Sequence, residues 1–356
     1  MSSMALTAGF LVALVVSIGL VCTKHLHGKL TFDSVVGVQK FHKTLTPRVG
    51  GLSLALGYFA VWLFLEGDLR NIFGLIGLAG IPALALGMTE DITKRVGVRL
   101  RLLATIVSGL AFVALTGYTI DHVDVYGVDA VLAMPLVATA FTAFAIGGVT
   151  NSINIIDGFH GLASGTLIIL LLSFALVGWR VQDTVFMQMA LLMASIVAGF
   201  FVVNFPFGKL FLGDAGAYFA GYLLAVMAVM LPVRNPEVSP WVSLLILAYP
   251  VTETLVSIIR RQRDDGAHTG EPDSAHLHHI VYRNIAGRAA RFFQVPALGS
   301  AMTSLIMWAF PAATLVSVWL CGLKTINSIW LVAFIVVFYV VVYRGTLARE
   351  RSMRKD

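Results

Sequence analysis

Carboxylate side chains stand where long apolar segments of this sequence begin or end. Glu90 and Asp91 come at the end of one apolar run, and Asp214 lies between glycines at the start of another. Adjacent carboxylates repel each other and are tolerated beside a divalent cation, near a basic residue or in open water. Mg²⁺ and Mn²⁺ use such oxygen ligands together with phosphate and water. Two simpler interpretations stay open, since the acidic pair could be a solvated helix end paired with Lys94 and Arg95, and Asp214 could be a helix N-cap.

A third polar segment spaces amide and acidic side chains three residues apart in an apolar context. It contains Asn151, Asn154 and Asp157, followed by Gly158, Phe159 and His160. Amides and carboxylates beside a membrane need partners, and a bound ligand or metal would supply them. The alternative is a turn rich in Asx hydrogen bonds that is followed by a helix cap.

A basic turn that also carries hydroxyl groups precedes the second apolar run. It contains Lys43, Thr46, Pro47 and Arg48 and leads into Gly50 and Gly51. Helix N-terminal amides and cations attract anions, and glycine lets a ligand approach the backbone, so this junction suits a phosphate. A basic flank of a membrane span that happens to begin with Thr-Pro would have the same residues.

Histidines and arginines are concentrated in the last long polar segment. Arg260 and Arg261 are followed by His276, His278 and His279. Zinc is not favoured here, because it usually takes four ligands in a tetrahedral arrangement and no cysteine is near. Imidazoles beside arginines supply several directed hydrogen-bond donors, and this combination suits a diphosphate.

The composition around these segments excludes a soluble protein. Of the 356 residues, 58% are hydrophobic and 12% are charged, and the mean hydropathy is +0.86. These values indicate a membrane protein. The net charge of +6 then reflects cytoplasmic loops and anionic lipid, so we expect contact with membrane lipid and no binding of nucleic acid. Cys22 and Cys321 lie at the ends of apolar stretches and support neither a disulfide framework nor a thiolate metal site.

Eleven apolar runs are long enough to cross ~30 Å of hydrocarbon at about 20 residues each. Each must be helical, because a backbone exposed to lipid has to satisfy its hydrogen bonds internally. The predicted fold is an all-α polytopic membrane protein, with residues 1–356 forming a single integral membrane domain. The first run lacks a basic preceding region and a cleavage site, so we expect a retained helix. The runs cover residues 5–23, 49–66, 71–88, 100–117, 130–149, 161–179, 184–204, 215–232, 239–259, 296–321 and 326–343.

The loops between these runs divide the basic residues unevenly between two faces. Of the 25 lysines and arginines, all but Arg70, Arg180, Arg234 and Lys324 fall on one face. By the positive-inside rule this face is cytoplasmic, which predicts an external N-terminus and a cytoplasmic C-terminus. The polar segments described above all lie on it, in loops at about residues 24–48, 89–99, 150–160, 205–214 and 260–295.

The order of these segments resembles the polyprenyl-phosphate N-acetylhexosamine-1-phosphate transferases, which are glycosyltransferases of the family 4 type. The motifs are Thr-Pro-x-x-Gly-Gly, an acidic pair, Asn-x-x-Asn-x-x-Asp-Gly-x-x-Gly-Leu, Phe-x-Gly-Asp-x-Gly and His-x-His-His, within about residues 37–280. The His-Leu-His-His form is similar to the bacterial branch that initiates O-antigen, common-antigen or teichoic-acid chains.

The resemblance implies transfer of a HexNAc-1-phosphate from a UDP-N-acetylhexosamine to undecaprenyl phosphate or another polyprenyl phosphate, with release of UMP. The reaction would take place at the cytoplasmic side of the bacterial inner membrane. Mg²⁺, or Mn²⁺, would be the cofactor, with Asp214 and Asn154 as its ligands. Asp91, beside Glu90, would orient or deprotonate the acceptor phosphate. Positioning and charge neutralisation are the largest part of such phosphoryl transfers.

The same resemblance implies where the donor binds. Asp157, the remaining catalytic carboxylate, would contact uracil together with Gly158 and Phe159. The histidines with the nearby arginines would hold the donor diphosphate. The complete set of implied substrate-binding residues is Lys43, Arg48, Asn151, Gly158, Phe159, His160, Arg260, Arg261, His276, His278 and His279.

Two positions depart from the family pattern. Glu90 replaces the first aspartate of an Asp-Asp pair, so we assign the critical role to Asp91. His160 replaces the second aspartate of Asp-Gly-x-Asp-Gly. A histidine there could favour an unusual donor such as a 6-deoxy hexosamine, or it could be a tolerated change at the edge of the pocket.

Two other functions are compatible with parts of the sequence. A transporter or flippase for a lipid-linked sugar would carry ionisable groups through the membrane depth, and Glu253, near the inner end of the ninth run, is the main such group. Pro250 should kink the same helix and could form a wall of a groove for the acceptor chain. An inactive paralogue that acts as an assembly partner is the third possibility. A second copy of the chain is a candidate partner.

Overall fold

The structure is a computed structural model that describes residues 3–33, 45–263, 275–321 and 323–352. Within these ranges the regular structure is helical, apart from a β-bridge between Phe32 and Pro47. Lys43 lies outside the described residues. The helices are α1 (Ser3–Cys22), α2 (Lys24–Thr31), α3 (Gly50–Leu63), α4 (Gly67–Ala79), α5 (Ile81–Thr93), α6 (Val98–Thr116), α7 (Val128–Leu132), α8 (Pro135–Ile156), α9 (Leu162–Arg180), α10 (Thr184–Asn204), α11 (Gly213–Arg234), α12 (Pro240–Ile246), α13 (Ala248–Arg263), α14 (Leu277–Val281), a π-helical turn (Tyr282–Ala286), α15 (Gly287–Phe292), a 3₁₀ turn (Pro296–Leu298), α16 (Gly299–Met307), α17 (Ala309–Cys321) and α18 (Thr325–Ser352).

The prediction of an all-α polytopic membrane protein is confirmed. In the described part of the chain, eight helices are long and apolar enough to cross a membrane, or ten when each of two bent helix pairs counts as one span. The remaining predicted run, residues 49–66, corresponds to α3, which has only 14 residues. A helix of that length rises about 21 Å, less than the ~30 Å hydrocarbon thickness.

Both bent pairs have a proline just after the bend. α4 and α5 meet at 44°, and α12 and α13 meet at 75°. Pro82 is in the first turn of α5, and Pro250 is in the first turn of α13. A proline has no N–H to donate to the carbonyl four residues earlier, so a helix ends easily there. The kink expected from Pro250 is therefore present, three residues before the proline itself.

α11 is the central helix of the fold. In the most apolar 18-residue stretch of α11, 89% of the residues are buried, compared with 22% in the corresponding stretch of α1. It packs against α8, α5 and α3. Gly51 of α3 and Gly87 of α5 lie so close to it that an added Cβ would come within 2.6 Å of Ala215 at either position. The start of α11 therefore packs closely between the start of α3 and the end of α5.

This packing brings most of the predicted polar segments to one end of the helices. In two of these segments, however, the predicted site residues lie on helices and not in loops. Asn151 and Asn154 lie on the last turns of α8, and Glu90 and Asp91 lie on the last turns of α5. Their loop assignment was wrong because both helices continue past the apolar residues and end on polar ones.

Candidate active site

Asp214 stands at the centre of the polar end, in the first turn of α11. Its side chain is 2% exposed, and each carboxylate oxygen accepts a hydrogen bond from an arginine, Oδ1 from Arg48 and Oδ2 from Arg101. The Asn154 side-chain amide donates to Oδ1 at 3.3 Å. Two guanidinium groups therefore compensate one nearly buried carboxylate, and an amide lies within contact distance.

Asp214 is not the helix N-cap. α11 begins at Gly213, and the preceding Leu212 makes no side-chain cap. Gly213 has φ of +74°, where glycine is favoured, and a Cβ there would lie 2.5 Å from Asp91 Oδ2. The glycine before Asp214 thus lets the chain turn sharply against the end of α5.

Asp91 supplies the cap that Asp214 does not. Its side chain is fully buried, and its carboxylate accepts hydrogen bonds from the N–H groups of Asp214, at 2.8 Å, and Ala215, at 2.9 Å. Arg48 Nε lies 3.4 Å from Asp91 Oδ1. A carboxylate at the N-terminus of a helix satisfies backbone donors and faces the positive end of the helix dipole. The interpretation of Asp91 as a solvated helix end is therefore wrong.

Glu90 has a different environment from its neighbour. It is half-buried, and its Oε2 accepts a hydrogen bond from Val96 N–H at 2.7 Å. This bond closes the turn between α5 and α6. Lys94, which could have paired with the acidic residues, donates instead to the Phe32 carbonyl.

Arg48 lies close to three acidic residues of this end of the protein. Besides Asp214 and Asp91, it lies 3.9 Å from Asp33. Burial by itself lowers the pKa of the Arg48 guanidinium, but the surrounding carboxylates, Asp214 foremost, raise that pKa above its ordinary value. Arg48 thus stays charged and remains a cation that a phosphate can approach.

Phe159 and the histidines form a second cluster beside the first. Gly158 lies against His278, since a Cβ at Gly158 would come 3.0 Å from His278 Nε2. Phe159 packs edge-on against His278 and His279, at centroid distances of 5.7 and 5.6 Å, and stacks on Tyr282 at 5.2 Å. Because Gly158 follows Asp157 at the end of α8, which also carries Asn154, the two clusters are adjacent.

Burial holds His278 and His279 of this cluster in their neutral form. Burial, together with neighbouring positive groups, lowers the pKa of His279 to about 3 and also lowers the pKa of His278 well below its ordinary value. His278 is fully buried, and neither of its ring nitrogens has a hydrogen-bond partner in the described part of the chain. A neutral imidazole offers one N–H donor and one acceptor, so these side chains are suited to bind a ligand by hydrogen bonds more than by charge.

Other predicted site residues have contacts within the scaffold. Asn151 donates to Thr105 Oγ1 at 3.2 Å and so ties α8 to α6. His160 Nδ1 lies 3.2 Å from the Pro206 carbonyl, and its backbone is hydrogen-bonded to Ser300 and Ser304 of α16. The His160 ring therefore packs against the loop that precedes α11.

The arginines of α13 lie behind the histidines. Arg260 donates to the Ala275 carbonyl at 2.5 Å and to the Tyr343 hydroxyl at 3.0 Å. Both contacts hold the start of the histidine segment. Arg261 is half-buried in the last turn of α13.

Two residues of this region were not among the predicted site residues. Arg101 lies on the first turn of α6, after the acidic pair, and was counted only as a basic residue of the cytoplasmic face. Glu253, noted only as an ionisable residue within a span, accepts hydrogen bonds from His276 and Leu277. Neither residue belongs to a sequence motif, so only its contacts in the structure identify it as part of this region.

The residues around Asp214 fit a hard divalent cation that is completed by substrate. In the described residues no group of three or more His, Cys, Asp or Glu side chains converges on one point. Mg²⁺ does not need such a group, because it commonly takes one or two carboxylates and fills its shell with phosphate and water. Asp214 offers a carboxylate that a cation would share with Arg48 and Arg101, and the Asn154 amide can turn to present its oxygen.

Comparisons with known proteins agree with this arrangement. The sequence model of glycosyl transferase family 4 matches residues 73–232, which include Asp91, Asn154, Asp157 and Asp214. The chain is 27% identical over 242 residues to a Bacillus subtilis protein named "Probable undecaprenyl-phosphate N-acetylglucosaminyl 1-phosphate transferase", covering 68% of this chain and 67% of the relative.

Two further relatives extend the comparison. A Yersinia pestis protein named "Undecaprenyl-phosphate alpha-N-acetylglucosaminyl 1-phosphate transferase" is 24% identical over 89% of this chain and 87% of its own length. A Streptococcus thermophilus protein named "Phospho-N-acetylmuramoyl-pentapeptide-transferase" is 28% identical over 47% of this chain and 52% of its own length. The chain is therefore similar to glycosyl transferase family 4, and to relatives named as polyprenyl-phosphate N-acetylglucosamine-1-phosphate transferases.

Proposed function

We propose that this protein transfers an N-acetylhexosamine 1-phosphate group from a UDP-N-acetylhexosamine to a polyprenyl phosphate. An oxygen of the acceptor phosphate attacks the phosphorus next to the sugar, the bond from that phosphorus to the UMP oxygen breaks, and UMP leaves. The observation that carries the proposal is the arrangement of Asp214 between Arg48 and Arg101, beside Asn154. The family and the names of the relatives support the same reaction class.

Charge is the main obstacle to this reaction, because two phosphorylated molecules must meet. Arg48 and Arg101 supply positive charge at the point where both would enter. Arg101 Nε is buried and has no hydrogen-bond partner in the described part of the chain, so this donor can turn to a phosphate oxygen. Mg²⁺ or Mn²⁺, held by Asp214 and Asn154, would neutralise the charge that develops on the phosphate oxygens.

Asp91 acts, in this proposal, by fixing the position of Asp214. Both of its oxygens already accept backbone N–H groups of α11. A proton taken from the acceptor phosphate would weaken the hydrogen bonds that these N–H groups make with the charged Asp91 carboxylate. We therefore favour the orienting role of Asp91 over the role of a base.

The donor nucleotide is proposed to lie between the two clusters. Phe159 offers an aromatic surface for uracil, and His278 and His279 offer hydrogen bonds to the diphosphate. Asp157, half-buried at the end of α8, lies in the chain between Asn154 of the first cluster and Gly158 of the second, and it is proposed to contact the uridine. The nearby arginines, Arg260 among them, support the histidine segment from behind.

We propose N-acetylglucosamine as the first donor sugar to test, because the relatives' names specify it. The His160 ring packs on the Pro206 backbone, which gives no support to a special role in selecting a 6-deoxy sugar. The proposed acceptor is undecaprenyl phosphate, and the product would start a lipid-linked surface glycan. The proposed location is the bacterial inner membrane, with the polar end in the cytoplasm.

The direct test is release of UMP by the purified protein in detergent or nanodiscs. UDP-GlcNAc and other UDP-N-acetylhexosamines would be supplied with undecaprenyl phosphate and Mg²⁺ or Mn²⁺, and UMP would be measured by mass spectrometry. We expect release only when donor, acceptor and metal are all present. No release with any of these donors would contradict the proposal.

Asp214→Asn separates the enzyme from its alternatives. We expect this variant to lose turnover and to bind Mn²⁺, measured by electron paramagnetic resonance, about 10- to 100-fold more weakly. A flippase or an inactive assembly partner would instead keep its cellular phenotype when Asp214 is replaced. Unchanged Mn²⁺ binding would contradict the assignment of Asp214 as a ligand.

A further inference from the structure

A buried carboxylate ties the histidine segment to the membrane helices. Oε1 of Glu253 accepts hydrogen bonds from His276 Nδ1–H at 3.1 Å and from Leu277 N–H at 3.2 Å. Oε2 accepts a hydrogen bond from the Tyr339 hydroxyl at 2.7 Å. Glu253 and Tyr339 are each 1% exposed and His276 is 5% exposed, so water does not compete for these bonds.

The bonds to Glu253 fix two features of the histidine segment at once. The carboxylate sets the tautomer of His276, because Nδ1 must carry the proton that it donates. Leu277 N–H is the first amide of α14, the helix that carries His278 and His279. The His276 ring is also stacked on His278, with centroids 5.3 Å apart and planes 3° from parallel. A shift of Glu253 would therefore move all three histidines relative to Phe159.

The last helix holds the same segment from the other side. On α18, Tyr339 reaches Glu253, and the Tyr343 hydroxyl donates to the Ala275 carbonyl at 3.1 Å. Further along, the Arg283 guanidinium pairs with Glu350 at 2.9 Å. Helix α18 thus contacts Ala275, just before the histidines, and Arg283, just after them.

Burying a carboxylate costs free energy unless hydrogen bonds and a nearby cation compensate for the lost water. A neutral side chain could hold the segment at lower cost. A carboxylate accepts stronger hydrogen bonds than a neutral group and fixes the ring of its histidine partner, as the outer carboxylates behind metal-binding and catalytic histidines do. This combination is expected where the orientation of a histidine matters to a ligand.

We propose that Glu253 is a positioning residue for donor binding, with Tyr339 as its second support. It holds His276 and the first turn of α14 so that the histidines face Gly158 and Phe159. The inference rests on the proposed function, in which the histidine segment binds the donor diphosphate. Glu253 touches no substrate itself in this scheme.

Kinetics of the full-length protein test the inference. UDP-GlcNAc and undecaprenyl phosphate would be varied separately, and the Kd of UDP would be measured by calorimetry without turnover. We expect Glu253→Gln to raise the donor KM and the UDP Kd by about 10- to 100-fold, with the acceptor KM unchanged. Glu253→Asp should recover part of the loss, because it restores the charge. Tyr339→Phe should raise the same donor values by about tenfold, the effect of losing one hydrogen bond to a charged group.

Tyr249→Phe is the matched control. Tyr249 is fully buried one turn before Glu253, and its hydroxyl has no hydrogen-bond partner in the described residues. Removing that hydroxyl should leave both KM values and the UDP Kd as in the wild type.

Three results would overturn the inference. The first is an unchanged donor KM and UDP Kd in Glu253→Gln, and the second is an equal rise of both KM values with a lower Tm, which indicates a purely structural role. The third is a wild-type protein that does not bind UDP. If the wild type binds UDP but releases no UMP from any donor, the proposed function fails, and the UDP Kd of the variants alone decides the positioning role.

Discussion

The Asp91 carboxylate accepts a hydrogen bond from the backbone N–H of Asp214 at 2.8 Å, and the two residues are 123 positions apart in the chain. Asp91 lies at the end of α5 and Asp214 at the start of α11. One acidic residue thus anchors the helix turn that carries the other. The bond also explains why two carboxylates can lie so close together, since Arg48 pairs with both of them.

Replacing Asp91 with Asn should loosen the start of α11. The new NH₂ group cannot accept from one of the two N–H donors, so a buried donor is left without a partner. We expect the free energy of unfolding to fall by about 1–3 kcal/mol and UMP release to be lost, because Asp214 is no longer held in place. Thermal unfolding in detergent measures the first effect. Glu90→Gln is the control, since its amide oxygen can keep the bond from Val96 N–H. Equal stability of Asp91→Asn and the wild type would contradict the capping role.

Replacing Arg101 with Gln should strengthen the binding of a divalent cation while weakening turnover. The guanidinium of Arg101 donates to Asp214 and repels a cation that approaches the same carboxylate. We expect Mn²⁺ to bind at least about tenfold more tightly, because a like charge a few ångströms away costs a few kcal/mol in a partly buried site. UMP release should fall by about 100-fold, the usual effect of losing one group that stabilises developing charge. Spin resonance of Mn²⁺ and the UMP assay check the two effects.

Arg99→Gln provides the comparison for Arg101, because Arg99 is exposed on the same turn of α6. It should change neither Mn²⁺ binding nor turnover. Weaker Mn²⁺ binding in Arg101→Gln would show that this arginine does not compete with the metal.

The stability of the protein should fall as the pH drops below the ordinary pKa of histidine. The pKa of His279 in the folded protein is lowered to about 3 by burial and by His276, Arg283 and Arg260, and that of His278 is also lowered. Between about pH 6.5 and that value the unfolded chain binds protons that the folded chain does not, so stability is lost as the pH falls. Tm measured from pH 7.5 to 5 should decline.

His279→Gln should reduce this decline, because the variant has one fewer group that binds a proton only on unfolding. The slope of the free energy of unfolding against pH should be smaller by up to about 1.4 kcal/mol per pH unit. Identical slopes in the wild type and the variant would mean that His279 is not held neutral by the fold.

Adding one methyl group at Gly87 should separate α5 from α11. A Cβ at Gly87 would lie 2.5 Å from the Cα of Ala215, and backbone cannot yield as a side chain can. We expect Gly87→Ala to lower the free energy of unfolding by about 1–3 kcal/mol and to reduce UMP release. Gly148→Ala is the matched control, because a Cβ there meets no atom within 4 Å. If both variants melt at the wild-type temperature, the close packing of α5 on α11 is not required.

The proximity of two residues of the candidate site could be predicted from their motifs and positions. Asp214 and Asn154 were assigned together from the resemblance, and the structure brings them within 3.3 Å of each other. The geometry of Asp91 was not predictable, because a carboxylate beside a membrane helix can face water, a metal or another helix. The choice depends on Gly213 and Gly87, whose lack of side chains lets α5 and α11 approach. No local sequence pattern predicts how closely α5 and α11 approach each other.

Arg101 and Glu253 show more clearly which contacts cannot be predicted from the sequence. The sequence pattern identifies Arg101 only as a charge at a helix end, which is common in membrane proteins, and Glu253 only as an ionisable residue within a span. Each acquires a role from a partner far away in the chain, Arg101 from Asp214 and Glu253 from His276.

The apolar runs were sufficient to predict a bundle of membrane helices with the candidate site residues near the helix ends. This prediction is local, because an apolar run in lipid must bond its own amides and the length of each run sets the length of its helix. Which helix ends meet was not predictable from the runs and is seen in the folded structure. Pairing depends on contacts between helices distant in the chain, where single glycines set the distance and buried carboxylates choose among several donors.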